Sequence, residues 1–320
     1  MKLYPLQFQP ILKERIWGGT KLKTYLNKPI SSDRTGESWE ISTVKNDVSV
    51  ISNGFFAGEL LTDLLNKFPN ELLGTKVYSH FGKQFPLLFK YLDAREDLSI
   101  QLHPNDELAK KRHNSFGKTE MWYVMQADRD AKLIIGFKEK SSEKEYLENL
   151  ENNSLITILD VKKVNQGDAF FIETGTIHAI GAGTLIAEIQ QTSDITYRLY
   201  DFDRVDVHGN KRDLHVDLAL EAINYEVVAA EKSYSKNSNT SNEIVNCPYF
   251  TTNFIALDGT IGIHKNGESF SVYMCVDGSF ELNYEKDVYA YKIGDSILIP
   301  AKMKEFTISG TASLLEIYIS

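Results

Sequence analysis

Gly167 to Glu173 reads GDAFFIE, and Gly294 to Pro300 reads GDSILIP. Each opens on a Gly-Asp turn and runs into a short β-branched or aromatic stretch of the kind that forms a strand. Upstream of the first lies MWYVMQA, Met121 to Ala127; upstream of the second lies SVYMCVD, Ser271 to Asp277. A strand pair that recurs along a chain marks a duplicated β unit. Ser99 to His103, Ala131 to Phe137, Ile156 to Val161, Ala169 to Ile172, Thr184 to Ile189 and Ile195 to Tyr200 also read as strands. From Ile244 to Ser320 the chain is again short strands and turns. This spacing predicts a mainly β protein with a sandwich or barrel in each half, not alternating α/β units. Helical patterns are few: Glu59 to Phe68, Asp106 to Arg112, Ser141 to Glu151 and Asp213 to Ile223. The tract EKSYSKNSNTSNE, Glu231 to Glu243, has no aliphatic residue and reads as a linker. The expected division is therefore 1–232, a linker at 233–243, and 244–320.

A chain of 320 residues, 42% hydrophobic and 25% charged, suits two ordinary globular units. The net charge of -9 argues against a nucleic-acid surface, which needs a basic patch. It leaves room for a few cations focused in a pocket around one small phosphorylated metabolite. No apolar run approaches the roughly 20 residues that span a bilayer. The start, MKLYPLQFQPILKERIWGG, lacks a secretory h-region, so the expected location is the cytoplasm. Two cysteines, Cys247 and Cys275, without CxxC spacing, exclude a disulfide framework and a cysteine zinc site.

Gln101 and His103 stand at i and i+2 on an expected strand and so project from one face. Glu120 opens another strand, and His178 lies just past the strand Ala169 to Ile172. Imidazoles and a carboxylate suit a divalent zinc or similar ion, and a carboxamide oxygen completes the shell. One histidine alone is more often an ordinary core or surface residue. The repeat is what brings these positions to one end of one unit. Aligned on the repeat, Glu120 falls opposite Phe270 and His178 opposite Glu305, so the second half is expected to bind no metal.

Five stretches carry a family resemblance: PLLFKYL (Pro86 to Leu92), LSIQLHPND (Leu98 to Asp106), GKTEMWYV (Gly117 to Val124), GTIHAIGAGTLIAEIQ (Gly175 to Gln190) and SDITYR (Ser193 to Arg198). With them the chain resembles the class I phosphomannose isomerases in their short bacterial form, well from Leu3 to about Tyr225 and in outline beyond. The resemblance implies two cupin-type jelly-roll barrels with a few short helices, the second degenerate. It implies one zinc ion per chain held by Gln101, His103, Glu120 and His178. Arg198 matches the catalytic arginine, with Asp194 and Glu188 ahead of it as in the family. Ser99, Lys90 and Lys118 match positions near the substrate or its phosphate, and Trp17 and Glu37 match the pocket rim. Two departures stand out. Gly117 occupies the place of a histidine in larger members, and RLYDFDR replaces their RAGLTPK, so Arg204 takes the spacing of their lysine and is counted with the substrate- and phosphate-binding residues.

The reaction so implied interconverts mannose 6-phosphate and fructose 6-phosphate through a cis-enediolate. It needs a base over the carbon acid and a positive field at the developing oxygen charge. Glu188 and Lys118 are both candidates for the base, and Asp194 either assists ring opening or holds Arg198. A cupin oxygenase uses similar ligands but has no need of Lys90, Lys118 and Arg198. A sugar-phosphate sensor has little need of both a metal set and Arg198. The sequence does not set the oligomeric state.

Overall fold

The structure, a computed structural model, describes residues 2–205 and 209–320. In chain order the first half contains β1 (Ile11–Gly19), β2 (Thr35–Ile41), a ribbon of β3 (Thr43–Val44) and β4 (Asp47–Val48), β5 (Leu87–Ala94), β6 (Ile100–Leu102), β7 (Glu120–Ala127), β8 (Lys132–Phe137), β9 (Leu159–Lys163), β10 (Ala169–Ile172), β11 (His178–Ile180), β12 (Thr184–Gln191), β13 (Tyr197–Tyr200) and β14 (Glu231–Lys232). They form a seven-stranded sheet, β1-β2-β5-β12-β7-β10-β14, and a five-stranded sheet, β13-β6-β11-β8-β9. The two sheets share one apolar cluster that includes Leu92, Trp122, Leu133, Ile135, Phe170 and Ile186. Alternation along each strand sends these side chains inward, so the halves of the sandwich bury each other's apolar faces.

The second half adds β15 (Asn242–Asn246), β16 (Thr251–His264), β17 (Ser271–Tyr284), β18 (Asp287–Lys292), β19 (Ser296–Ile299) and β20 (Glu305–Tyr318). Its sheet runs β15-β16-β20-β17-β18, with β19 on β17. The fold is mainly β, as expected, but the strand pairings do not close either half into a ring. A single core spans both halves, from Leu6, Phe85 and Phe89 to Phe270, Leu298 and Leu315. Within the tract read as a linker, Tyr234 donates to the Gly167 carbonyl and Asn239 bonds Asp258, which lays the segment against its neighbours.

The repeat is real in its turns. Gly167 and Gly294 sit at φ +91° and +88°, a region that side chains with a Cβ rarely occupy, which explains why both copies open on glycine. The register between the halves differs by one residue from the sequence alignment. Val124 exchanges backbone hydrogen bonds with Asp168 and Gly167, as Cys275 does with Asp295 and Gly294. Glu120 therefore corresponds to Ser271, not Phe270. The matched tyrosines at 123 and 273 misled the alignment, and a slip of one residue exchanges the two faces of a strand. Phe270 instead packs on Phe85, ring centroids 4.8 Å apart, between the halves.

Several elements depart from expectation. Ile156 to Val161 begins as a 3₁₀ turn, Leu155–Ile158, and only Leu159–Lys163 is strand. Asp213 to Ile223 shortens to a helix at Val216–Leu220, because the backbone at 213–215 bonds to Arg198 instead. Two helices, Pro69–Leu73 and Thr75–Phe81, extend past Phe68. No helix among the described residues is long and apolar enough to cross a membrane.

The second half buries one carboxylate, Glu316, 3% exposed. Tyr273 and Lys265 donate to its Oε1 at 2.8 and 2.5 Å, and Ser241 and Asn253 to its Oε2 at 2.8 and 3.0 Å. Burial opposes its charge, but Lys265 and these donors outweigh burial and hold the carboxyl below the usual range. Glu316→Ala is expected to cost about 3 kcal/mol at pH 7, because Lys265, Tyr273, Asn253 and Ser241 all lose the buried carboxylate that pairs them. A depressed carboxyl contributes stability above its unfolded value and loses it as pH falls through the folded value. The gap between wild type and variant should thus narrow below the ordinary value of 4.5, as thermal melts at two pH values will show.

Candidate active site and metal centre

Three neighbouring strands build the floor. In the five-stranded sheet, Gln101 on β6 pairs with His178 on β11 and with Arg198 on β13. His103 follows two residues after Gln101, and Glu120 enters from the facing sheet at the start of β7. One ligand atom each from His103, Glu120 and His178 lie within 4.8 Å of one another. Both imidazole Nε2 atoms stand 3.6 Å from the Glu120 carboxylate, and the Gln101 amide is 3.5 Å from His178 Nε2. His103 Nδ1 lies 2.8 Å from the Ile195 carbonyl and His178 Nδ1 2.8 Å from the Thr176 carbonyl. A carbonyl only accepts, so each Nδ1 carries the proton and each Nε2 is an acceptor: His103 Nε2 faces the Lys118 ammonium at 3.0 Å and His178 Nε2 the Gln101 amide.

Burial, then the Lys118 charge, depresses both imidazoles, His178 to about 4 and His103 well below its ordinary value. Both are neutral near pH 7. Burial pushes Glu120 up and Glu188 adds to it, against Lys118 and Lys90. Its Oε1 is buried with no hydrogen-bond partner. An orphaned carboxylate oxygen costs about 1–3 kcal/mol or more, and a cation between it and the two Nε2 atoms removes that cost. The donor set fits a divalent ion, and a turn of the Gln101 amide adds its oxygen as a fourth donor.

Above the floor opens a cavity of about 590 Å³. Trp17, Glu37, Lys90, Ser99, Lys118, Glu188, Asp194 and Arg198 all line it, so the expected residues do converge. Lys90 bonds Glu188 at 3.1 Å, and Trp122 Nε1 donates to the same carboxylate at 3.0 Å. Burial disfavours the Glu188 charge, but Lys90 and Lys118 overcome it and hold its value at about 2. Lys118 donates to Glu120 at 2.5 Å. Burial disfavours its charge too, yet Glu120 and Glu188 leave it more basic than usual. Ser99, buried, donates to Gln101 Oε1 at 3.4 Å. Glu37 is held by Arg15 at 2.7 Å and Trp39 at 2.6 Å.

Arg204 is not brought to the cavity. Its donors go to Asp201 and to the Asp97 carbonyl. Arg212, Trp39, Lys13 and Arg15 line the cavity without having been singled out from the sequence. Trp39 was legible, since alternation puts it on the face of Glu37. Arg212, in the polar run GNKRD, carries no signal of its own.

One strut reaches the floor from the second half. Asp106 accepts from Gly117 N–H (2.8 Å) and Gln191 (3.0 Å) on Oδ1, and from the Tyr249 hydroxyl (2.9 Å) on Oδ2. Gln191 in turn accepts from Thr119 N–H at 2.9 Å, between Lys118 and Glu120. In the second half itself, His264 pairs with Glu305 as Gln101 does with His178, but both side chains are more than three-quarters exposed. Among the described residues His103, Glu120 and His178 form the one group of three or more metal-competent side chains.

Comparison with known proteins returns consistent relatives. The family description "Phosphomannose isomerase type I, catalytic domain" matches residues 5–136, and "Mannose-6-phosphate isomerase, cupin domain" matches residues 240–319. Mannose-6-phosphate isomerase ManA of Bacillus subtilis is 37% identical across 98% of this chain and 99% of its own. A mannose-6-phosphate isomerase of Streptococcus mutans is 35% identical across 97% of each. The crystal structure of the Bacillus subtilis mannose 6-phosphate isomerase superposes with a TM-score of 0.91 at 34% identity, covering 98% of this chain and 99% of that one. Variants of the Salmonella typhimurium phosphomannose isomerase share the fold, with a TM-score of 0.80 at 18% identity for one of them.

Proposed function

The chain belongs to the type I phosphomannose isomerases, and from that premise we propose that it interconverts mannose 6-phosphate and fructose 6-phosphate with one zinc ion held by Gln101, His103, Glu120 and His178. The observation that carries this reading is the cluster of two neutral imidazoles and the Glu120 carboxylate, its Oε1 without a hydrogen-bond partner, on the floor of a cation-lined cavity. When bound there, the ion supplies Lewis-acid polarisation of the sugar oxygens. Of the two candidate bases, Lys118 already donates to Glu120, whereas the Glu188 carboxylate, held ionised by Lys90 and Lys118, lines the cavity as an acceptor. Glu188 therefore takes the proton from one carbon and returns it to the other, and the Lys118 ammonium faces the oxygen where charge develops. Arg198 adds charge-assisted hydrogen bonds to that oxygen. Asp194, on the same wall, serves ring opening. The substrate's charge confines it to the compartment where it is made, which favours a cytoplasmic enzyme.

A coupled assay with mannose 6-phosphate tests the proposal. Turnover should vanish on dialysis against a chelator and return with zinc. Metal-loaded protein that consumes oxygen and leaves mannose 6-phosphate untouched overturns it in favour of an oxygenase.

A further inference from the structure

Most cations around the cavity are cancelled where they stand. Lys13 meets Asp47, Arg15 meets Glu37, Lys90 meets Glu188 and Lys118 meets Glu120. On the Arg198 side the cancellation fails. Asp201, 5% exposed, takes two bonds from Arg212, at 2.7 and 2.5 Å, and one from Arg204 Nη2 at 2.6 Å, so two guanidiniums share one carboxylate. Among the described residues Arg198 has only the Asp213 carbonyl on Nη1, and its buried Nε has no partner. Burial and then the Arg212 charge make Arg198 less basic than usual, as expected where positive charges crowd.

The two guanidiniums on Asp201 differ in what they have left. Arg204 turns its remaining donors to the Asp201 and Asp97 carbonyls and stays outside the cavity. Arg212 spends Nε and Nη2 on Asp201 and lines the cavity. Among the described residues its Nη1 edge has no partner.

From this geometry we infer that Arg212, clamped by Asp201, anchors the phosphate of the sugar phosphate, while Arg198, one strand from Gln101, serves the reacting end. The inference rests on the isomerase reading. It moves the phosphate contact from Arg204, where spacing alone had put it, to a residue eight positions on. A guanidinium fixed on one edge by a buried carboxylate meets a dianion with its orientation already set. Asp201 is then a positioning residue: it touches no substrate but fixes the angle at which Arg212 faces it.

Steady-state kinetics on the zinc-loaded protein, with inorganic phosphate as competitor, test this. Arg212→Ala should raise KM for mannose 6-phosphate about 10–100-fold, the worth of one or two charge-assisted hydrogen bonds. Its kcat should stay within a few-fold, and inhibition by inorganic phosphate should weaken by a factor similar to the KM change. Arg212→Lys keeps the charge and the Asp201 partner and should fall between. Asp201→Asn should shift KM the same way and leave metal content unchanged. If wild type turns over and Arg212→Ala changes neither KM nor phosphate inhibition, the assignment is overturned. A drop in kcat at constant KM overturns it as well. Failure of the isomerase reading looks different: wild type itself shows no turnover.

Discussion

Exchanging His103 or His178 for alanine is expected to strip the divalent ion from the protein and to end isomerisation with it. The two imidazoles supply the nitrogen donors of the centre, and their Nδ1 protons are committed to backbone carbonyls, so no rearrangement of the same rings can substitute. Losing a ligand should cost more than the roughly 10–100-fold that losing a ligand's supporting partner costs. Metal per chain by elemental analysis and turnover in added zinc are the paired measurements. His264→Ala, at an exposed site in the second half, should change neither. Full metal occupancy in both His103→Ala and His178→Ala removes these residues from the ligand set.

Arg198→Ala should lower kcat about 10²–10³-fold, by analogy with deleting one preorganised donor to an oxyanion. Among the described residues the half-buried side chain is tied at Nη1 to the Asp213 carbonyl and its Nε has no partner, which leaves donors free for the substrate. A donor aimed at charge that exists only in the enediolate acts on the transition state more than on the bound sugar. KM should therefore move little, metal content not at all, and Arg198→Lys should rescue only part, because an ammonium lacks the planar fork. This pattern is the reverse of that expected at Arg212. An Arg198→Ala enzyme with raised KM and intact kcat makes Arg198 a substrate anchor and removes it from the chemistry.

The four proposed ligands and the cavity wall were legible because they sit in short, strongly patterned segments whose strand phase fixes which face a side chain takes. QLH at Gln101 to His103 needs only the period of two. Arg212 was illegible for the opposite reason: its role comes from Asp201, and nothing in a polar run says which of several basic residues meets a distant carboxylate. Arg204 rested on spacing alone, and its three bonds go to Asp201 and Asp97, partners that spacing does not display. The repeat was found through its glycine turns but misaligned by one residue between Met121 and Ser271, because matched tyrosines outweighed a hydrogen-bond register that no sequence displays. The β5 strand, buried along its whole length, shows no alternation to read.

The Tyr249 hydroxyl on Asp106 gives the second half a part in catalysis without a single group in the cavity. Through Gln191 it bears on the peptide that carries Lys118 and Glu120, and the core beneath it is continuous from one half to the other. A second unit with no metal-competent cluster among its described residues is free to drift only where it is not a buttress. Selection on this enzyme should therefore reach Tyr249 and the faces around it as firmly as it reaches the ligands. A minimal catalyst cut out at the tract near Glu231 would lose the brace that keeps its floor in register.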